Sequence, residues 1–179
     1  MKKKILLSTA IILLSFKVFS QTKEKELTQA EQFSSQAGTL IERQFIDIGK
    51  IKSIEIKVLK YKDLNANVSK SALRFEFEYK STYTNDTKIA SLDVDEIDGL
   101  IKSIKNLQTN VFTTTREIYT EVTFKSRTGF EAGAYFSPDK VKWTTYIQLE
   151  KNDRNSMIFL STEDFTVLLN IIELAKTKL

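Results

Sequence analysis

The chain has 179 residues, with 27 Lys+Arg against 23 Asp+Glu, and contains neither histidine nor cysteine. Without His it lacks the commonest general base and metal ligand, and without Cys it lacks disulfides, thiol chemistry and the usual zinc sets. The formal charge of +4 is concentrated at the start: residues 1–20 carry Lys2, Lys3, Lys4 and Lys17 and no acid, so the remainder sets 23 bases against 23 acids. A balanced chain exerts no global pull on nucleic acid or anionic lipid, which argues against nucleic acid as a partner.

Met1 to Lys4 is basic, and Ile5 to Phe16 is apolar. This is the pattern of a Sec-type signal peptide, and the apolar run falls short of the roughly 20 residues a spanning helix needs. Val18-Phe19-Ser20 precedes Gln21, so cleavage is expected between Ser20 and Gln21. An uncleaved N-terminal anchor is the other reading. The expectation is a periplasmic or secreted protein that is not a lipoprotein, with no transmembrane segment once residues 1–20 are removed.

Residues 21–38 read as a polar linker or short helix ending at Gly38. From Thr39 the chain is β-rich, with a turn expected at Gly49-Lys50. Ile54, Ile56 and Val58 alternate with charged residues and predict a strand with one buried face. Asp63 to Ser71 reads as a loop. Leu73, Phe75, Phe77 and Tyr79 give the strongest strand signal, and Lys88 to Leu92 follows as a short strand after the Thr84-Asn85-Asp86 turn. Asp93 and Glu96 form a capping box for a helix whose apolar stripe is Ile97, Leu100, Ile101, Ile104 and Leu107.

The second half repeats the plan. Strands are expected on Ile118, Thr120, Val122 and Phe124; on Phe130, Ala132, Ala134 and Phe136; on Trp143, Thr145, Ile147 and Leu149; and on Met157 to Leu160. Arg127-Thr128-Gly129 and Ser137-Pro138-Asp139 are turns. Ser161 caps the last helix, with Asp164 three residues on and Phe165, Leu168, Leu169 and Ile172 as its stripe. An offset of 68 sets Ile54 on Val122, Phe75 on Trp143, Leu92 on Leu160 and Asp93 on Ser161. The expected architecture is α+β: two tandem ββββα units, antiparallel sheets with helices packed on one face. Residues 39–179 form a single domain, with pseudo-repeats at about 39–108 and 116–179.

In both halves a strand runs straight into a capped helix: Ala90-Ser91-Leu92-Asp93-Val94-Asp95-Glu96-Ile97 and Ile158-Phe159-Leu160-Ser161-Thr162-Glu163-Asp164-Phe165. Two such units in tandem resemble the architecture of the Whirly and Pur-type single-strand-binding folds. The Lys-rich start, Gln21 and the stretch Ser71 to Tyr79 are similar to uncharacterised small exported proteins of Bacteroidetes-type bacteria, a likeness that implies no activity.

Candidate chemistry is sparse. Tyr119, Tyr135 and Tyr146 are out of phase with the apolar positions of their strands, so they should share the solvent-facing side of the second-half sheet. Exposed aromatics there can stack bases or sugars, or simply cover cross-strand neighbours. The same side carries Glu117, Glu121, Glu131 and Glu150 against Lys125 and Lys142, the wrong balance for nucleic acid. Asp93, Asp95, Glu96 and Asp98 read as helix-capping acids rather than a calcium loop. Trp143 reads as a core anchor, and Ser126 to Phe130 as a hairpin turn rather than a phosphate loop. The expected function is an exported non-enzymatic binding or structural module, with no cofactor and no metal. Alternatives are a single-stranded nucleic-acid binder or a carboxylate-based hydrolase. Homo-oligomerisation is left open.

Overall fold

Alternating apolar residues build two antiparallel four-stranded sheets. The computed structural model describes residues 26–82 and 84–179. The expected signal peptide and the expected Ser20/Gln21 cleavage position lie outside the described residues. α1 (Gln29–Ser34) precedes a first sheet of β1 (Ile41–Ile51), β2 (Ile54–Asp63), β3 (Val68–Lys80) and β4 (Asn85–Asp93), in that order. α2 (Val94–Asn106) follows and ends in a wider π turn. The second sheet orders β5 (Thr120–Lys125), β6 (Glu131–Ser137), β7 (Lys142–Gln148) and β8 (Met157–Leu160), and α3 (Thr162–Lys176) closes the chain. The fold is therefore α+β, two tandem ββββα units. No helix of the described residues is long and apolar enough to cross a membrane.

Three local expectations are corrected. Gly49-Lys50 is not a turn: β1 runs through it with a bulge at Asp47/Gly49, and the chain reverses at Lys52-Ser53. Ile51 pairs with Ile54 across this two-residue loop, which Lys52 enters at a φ of 49°. Gly49 instead admits a neighbour, because a Cβ there would lie 3.2 Å from the Ile171 side chain. The expected Asp63–Ser71 loop shrinks to four residues, since polar Ser69 and Lys70 still pair with Lys62 and Tyr61. Ile118 lies before β5 and is 74% exposed.

The repeat is real, but a single offset does not describe it. Cross-strand partners read Leu92, Leu73, Val58, Ile46 across the first sheet. Starting from Leu160, the second sheet reads Leu160, Thr145, Ala134, Val122. The offset is 68 at the last strands (92 to 160), 72 at the third (73 to 145) and 76 at the others (58 to 134, 46 to 122). The β6–β7 and β7–β8 hairpins are shorter than their first-half counterparts, so Val122 is the counterpart of Ile46 and not of Ile54. The helices keep the 68 spacing: Ile97, Leu100 and Ile104 match Phe165, Leu168 and Ile172, all fully buried.

One apolar cluster unites both halves. It includes Ile54, Ile56 and Phe75 of the first sheet, Ala132 and Ile147 of the second, and the stripes of α2 and α3. Phe75 and Phe130 stack with centroids 4.7 Å apart. The helices are exchanged: α2 touches β5 and β6 as well as its own β3 and β4, while α3 touches β1, β2 and β8. Neither sheet is thus covered by its own helix alone. Short α1 packs on the opposite face of the first sheet, where Ala30 meets Leu59, Tyr61 and Ala72.

Candidate binding face on the second sheet

The pleat sends Glu121, Thr123 and Lys125 of β5, Glu131, Gly133 and Tyr135 of β6, and Tyr146 of β7 to the side away from the helices. The three tyrosines expected to share this side do so. Tyr119 and Tyr135 have centroids 6.0 Å apart, and Tyr135 and Tyr146 6.4 Å apart. Their burial is graded, which the sequence did not show. Tyr119 is 57% exposed, Tyr135 half-buried and Tyr146 only 7% exposed.

Gly133 explains the buried end. Tyr146 on β7 is directly opposite Gly133, which is opposite Thr123 on β5, and the Tyr146 hydroxyl lies 3.1 Å from Thr123 Oγ1. The ring therefore spans a strand that has no side chain at that point. Burial pushes its phenol pKa up. Phe159 of β8 pairs with Tyr146 and is 52% exposed, so it extends the aromatic row to the far edge. Met157 to Leu160 are all apolar, so no alternation in the sequence marked Phe159 as outward-facing.

Polar groups on this face are largely committed. Tyr119 Oη donates to the Glu121 carboxylate, which holds the phenol at about 12. Lys125 pairs with Glu131 at 2.7 Å. The cation–carboxylate balance does not make a basic platform. Trp143, expected in the core, is half-buried at the sheet end: its indole N–H donates to Thr114 O at 2.6 Å, and the Arg116 guanidinium lies 5.5 Å from the ring centroid.

The acids at the α2 start do more than cap. Glu96 accepts from Asp93 N at 3.0 Å, completing the expected box. The Asp93 carboxylate accepts from Gln29 N at 2.9 Å and Ala30 N at 3.3 Å, so it also holds the start of α1. Oxygens of Asp93, Asp95 and Glu96 lie within 4.8 Å of one another. Arg127 already lies among them, at 3.1, 2.6 and 3.5 Å respectively. This bonding holds the Asp95 carboxyl below its usual range. The Ser126 to Phe130 segment is the hairpin turn the sequence indicated, and its arginine serves as a counter-ion. Long-range partners such as Arg127 had no signal in the sequence.

A second charge group joins the halves at β4. Lys88 Nζ reaches Asp153 at 2.7 Å and also bonds Asp86, which pushes its pKa up. Concave sites are modest. The apolar cleft between α2 and β5, lined by Leu107, Val111 and Phe124, holds about 140 Å³, below the roughly 300–1,000 Å³ of ligand pockets. A polar depression of about 390 Å³ on the first sheet is lined by Lys50, Glu55, Glu78 and Lys80. Its cations lie against its own acids, Lys80 to Glu78 at 2.8 Å and Lys50 to Glu55 at 3.9 Å.

No known protein family, curated protein or solved structure matches the chain.

Proposed function

We propose that the protein is an exported, non-enzymatic binding module that takes its ligand on the outer face of the second sheet. The observation that carries this is the aromatic row from exposed Tyr119, just before β5, through Tyr135 of β6 and Tyr146 of β7 to exposed Phe159 of β8. Tyr135 and Tyr146 form its floor, and the residues at its two ends are more than half exposed. Flat aromatic surface of this kind stacks rings of a ligand with little ordering cost.

The neighbouring charges favour a neutral, ring-bearing polyhydroxyl ligand such as a glycan chain. Glu121 can accept hydroxyl donors, and Lys125 is tied to Glu131. A polyanion would meet Glu121 and Glu131 with no unshared cation beside them on β5 or β6. Soluble oligosaccharides and a single-stranded oligonucleotide, each titrated calorimetrically at low salt, test this. Binding of the glycan that is lost in Tyr119→Ala and Phe159→Ala, with the circular dichroism unchanged, is the expected result. Oligonucleotide binding instead, or glycan binding indifferent to both substitutions, overturns the reading.

A further inference from the structure

The four open strand edges of the two sheets are treated differently. β4 is covered by the other half: Ile89 N donates to Glu150 Oε1 at 3.3 Å, and Thr128 Oγ1 donates to Ser91 O at 2.9 Å. β5 and β8 are short, at 6 and 4 residues. β1 is the longest edge strand, at 11 residues, and Arg43, Gln44, Phe45 and Asp47 along its middle are all exposed. A long uncovered edge is a template for another strand.

Its side chains are self-complementary in one register. From Ile41 to Asp47 the pairing with β2 is unbroken, which gives a regular segment. Arg43, Phe45 and Asp47 share the face away from α3. An axis at Arg43 or at Asp47 would set like charges against each other. An axis at Gln44 would put Arg43 against Phe45, and one at Ile46 would put Asp47 against Phe45. Only an axis at Phe45 sets Arg43 of each strand across from Asp47 of the other, with the two Phe45 rings between them. Phe45 is 58% exposed, an uncovered apolar side chain at the centre of an edge. On the other face, α3 lies against β1 and leaves Val167 and Leu174 exposed, on the stripe that includes Ile171 above Gly49.

We propose that β1 pairs antiparallel with β1 of a second copy of this chain about a two-fold axis at Phe45. The first sheets then join into one eight-stranded sheet, with reciprocal Arg43–Asp47 ion pairs on one face and the α3 stripes flanking the seam on the other. This surface is separate from the aromatic row on the second sheet.

Sedimentation equilibrium of the purified protein tests it. A dimer is expected, weakened by about tenfold or more in Phe45→Lys and in Arg43→Asp. Restoration is expected in the double variant Arg43→Asp/Asp47→Arg, which re-pairs the charges in reverse. The chain has no cysteine, so Phe45→Cys supplies an independent readout. On mild oxidation it should form a covalent dimer faster than Leu64→Cys, a position off the seam that is 47% exposed. A monomer at high concentration, a dimer indifferent to both single substitutions, a charge-swapped pair no better than Arg43→Asp, or equal cross-linking at 45 and 64 overturns the proposal.

Discussion

Lys52 and Arg127 occupy corresponding places in the two halves and serve each other's helix. Lys52, in the β1–β2 turn, lies 3.1 Å from Asp164 at the start of α3 and donates to Phe159 O at 2.8 Å. Arg127, in the β5–β6 turn, bonds Asp95 at the start of α2. Each cation reaches across the pseudo-twofold to the acidic first turn of the partner half's helix. The exchange of helices between sheets is thus fastened at both ends by a turn residue.

Acid should loosen these fastenings. The Asp95, Asp153 and Asp164 carboxyls are all held below their ordinary range, chiefly by hydrogen bonds from Arg127, from Lys88 and from the Ser161 backbone respectively. A depressed folded-state pKa contributes stability above the unfolded value near 3.9 that disappears as pH falls through the folded value. Urea midpoints measured from pH 7 to pH 2 should therefore stay level to about pH 5 and then fall. Asp95→Asn should flatten part of that fall.

Phe75 and Phe130 are both fully buried and stack across the two halves. Truncating either to Ala should cost about 3–5 kcal/mol. The double variant should cost less than the sum, because the second truncation removes a ring whose partner is already gone. Urea denaturation of the four species gives the coupling.

Two glycines should respond in opposite directions. A Cβ at Gly133 would sit 2.4 Å from Val122 O and 2.9 Å from Thr123 Cα, so Gly133→Ala forces β5 and β6 apart. A loss of about 1–3 kcal/mol is expected, together with displacement of Tyr146 visible in near-UV circular dichroism. Gly99 lies inside α2, and a Cβ there meets only Phe124 Cε2 at 3.4 Å. Gly99→Ala should stabilise by about 0.5–1 kcal/mol, through helix propensity and a less flexible unfolded chain.

Tyr119 should titrate late. Its hydroxyl donates to Glu121, and ionisation would set a phenolate against a carboxylate, so its pKa stands at about 12. The stability this bond adds is intact below the ordinary phenol value near 10 and is lost as pH rises through about 12. Burial raises Tyr61 and Tyr146 as well, so spectrophotometric titration should show several late phenols, of which Glu121→Gln moves one down towards about 10.

Local pattern made much of this protein legible from its sequence. Period-two alternation placed the Leu73–Tyr79 strand, and 3.6-residue stripes with Asp93/Glu96 and Ser161/Asp164 placed both long helices. Strand phase alone put Tyr119, Tyr135 and Tyr146 on one side, because the pleat fixes the face of every residue once one is fixed. Pairing and packing across the chain lay beyond such patterns. Gly49 looks like a turn residue until Ile171 is placed over it, and Tyr146 looks exposed until Gly133 opens a groove beneath its ring. The offset of 68 held for the helices but drifted to 76 across the ladders, because hairpin length is set by pairing and not by composition. Composition and periodicity determined which elements form and which faces are apolar. Tertiary structure decided which sheet each helix covers, which cation meets which acid, and which of the aligned tyrosines stays open, since those depend on contacts between residues far apart in the chain.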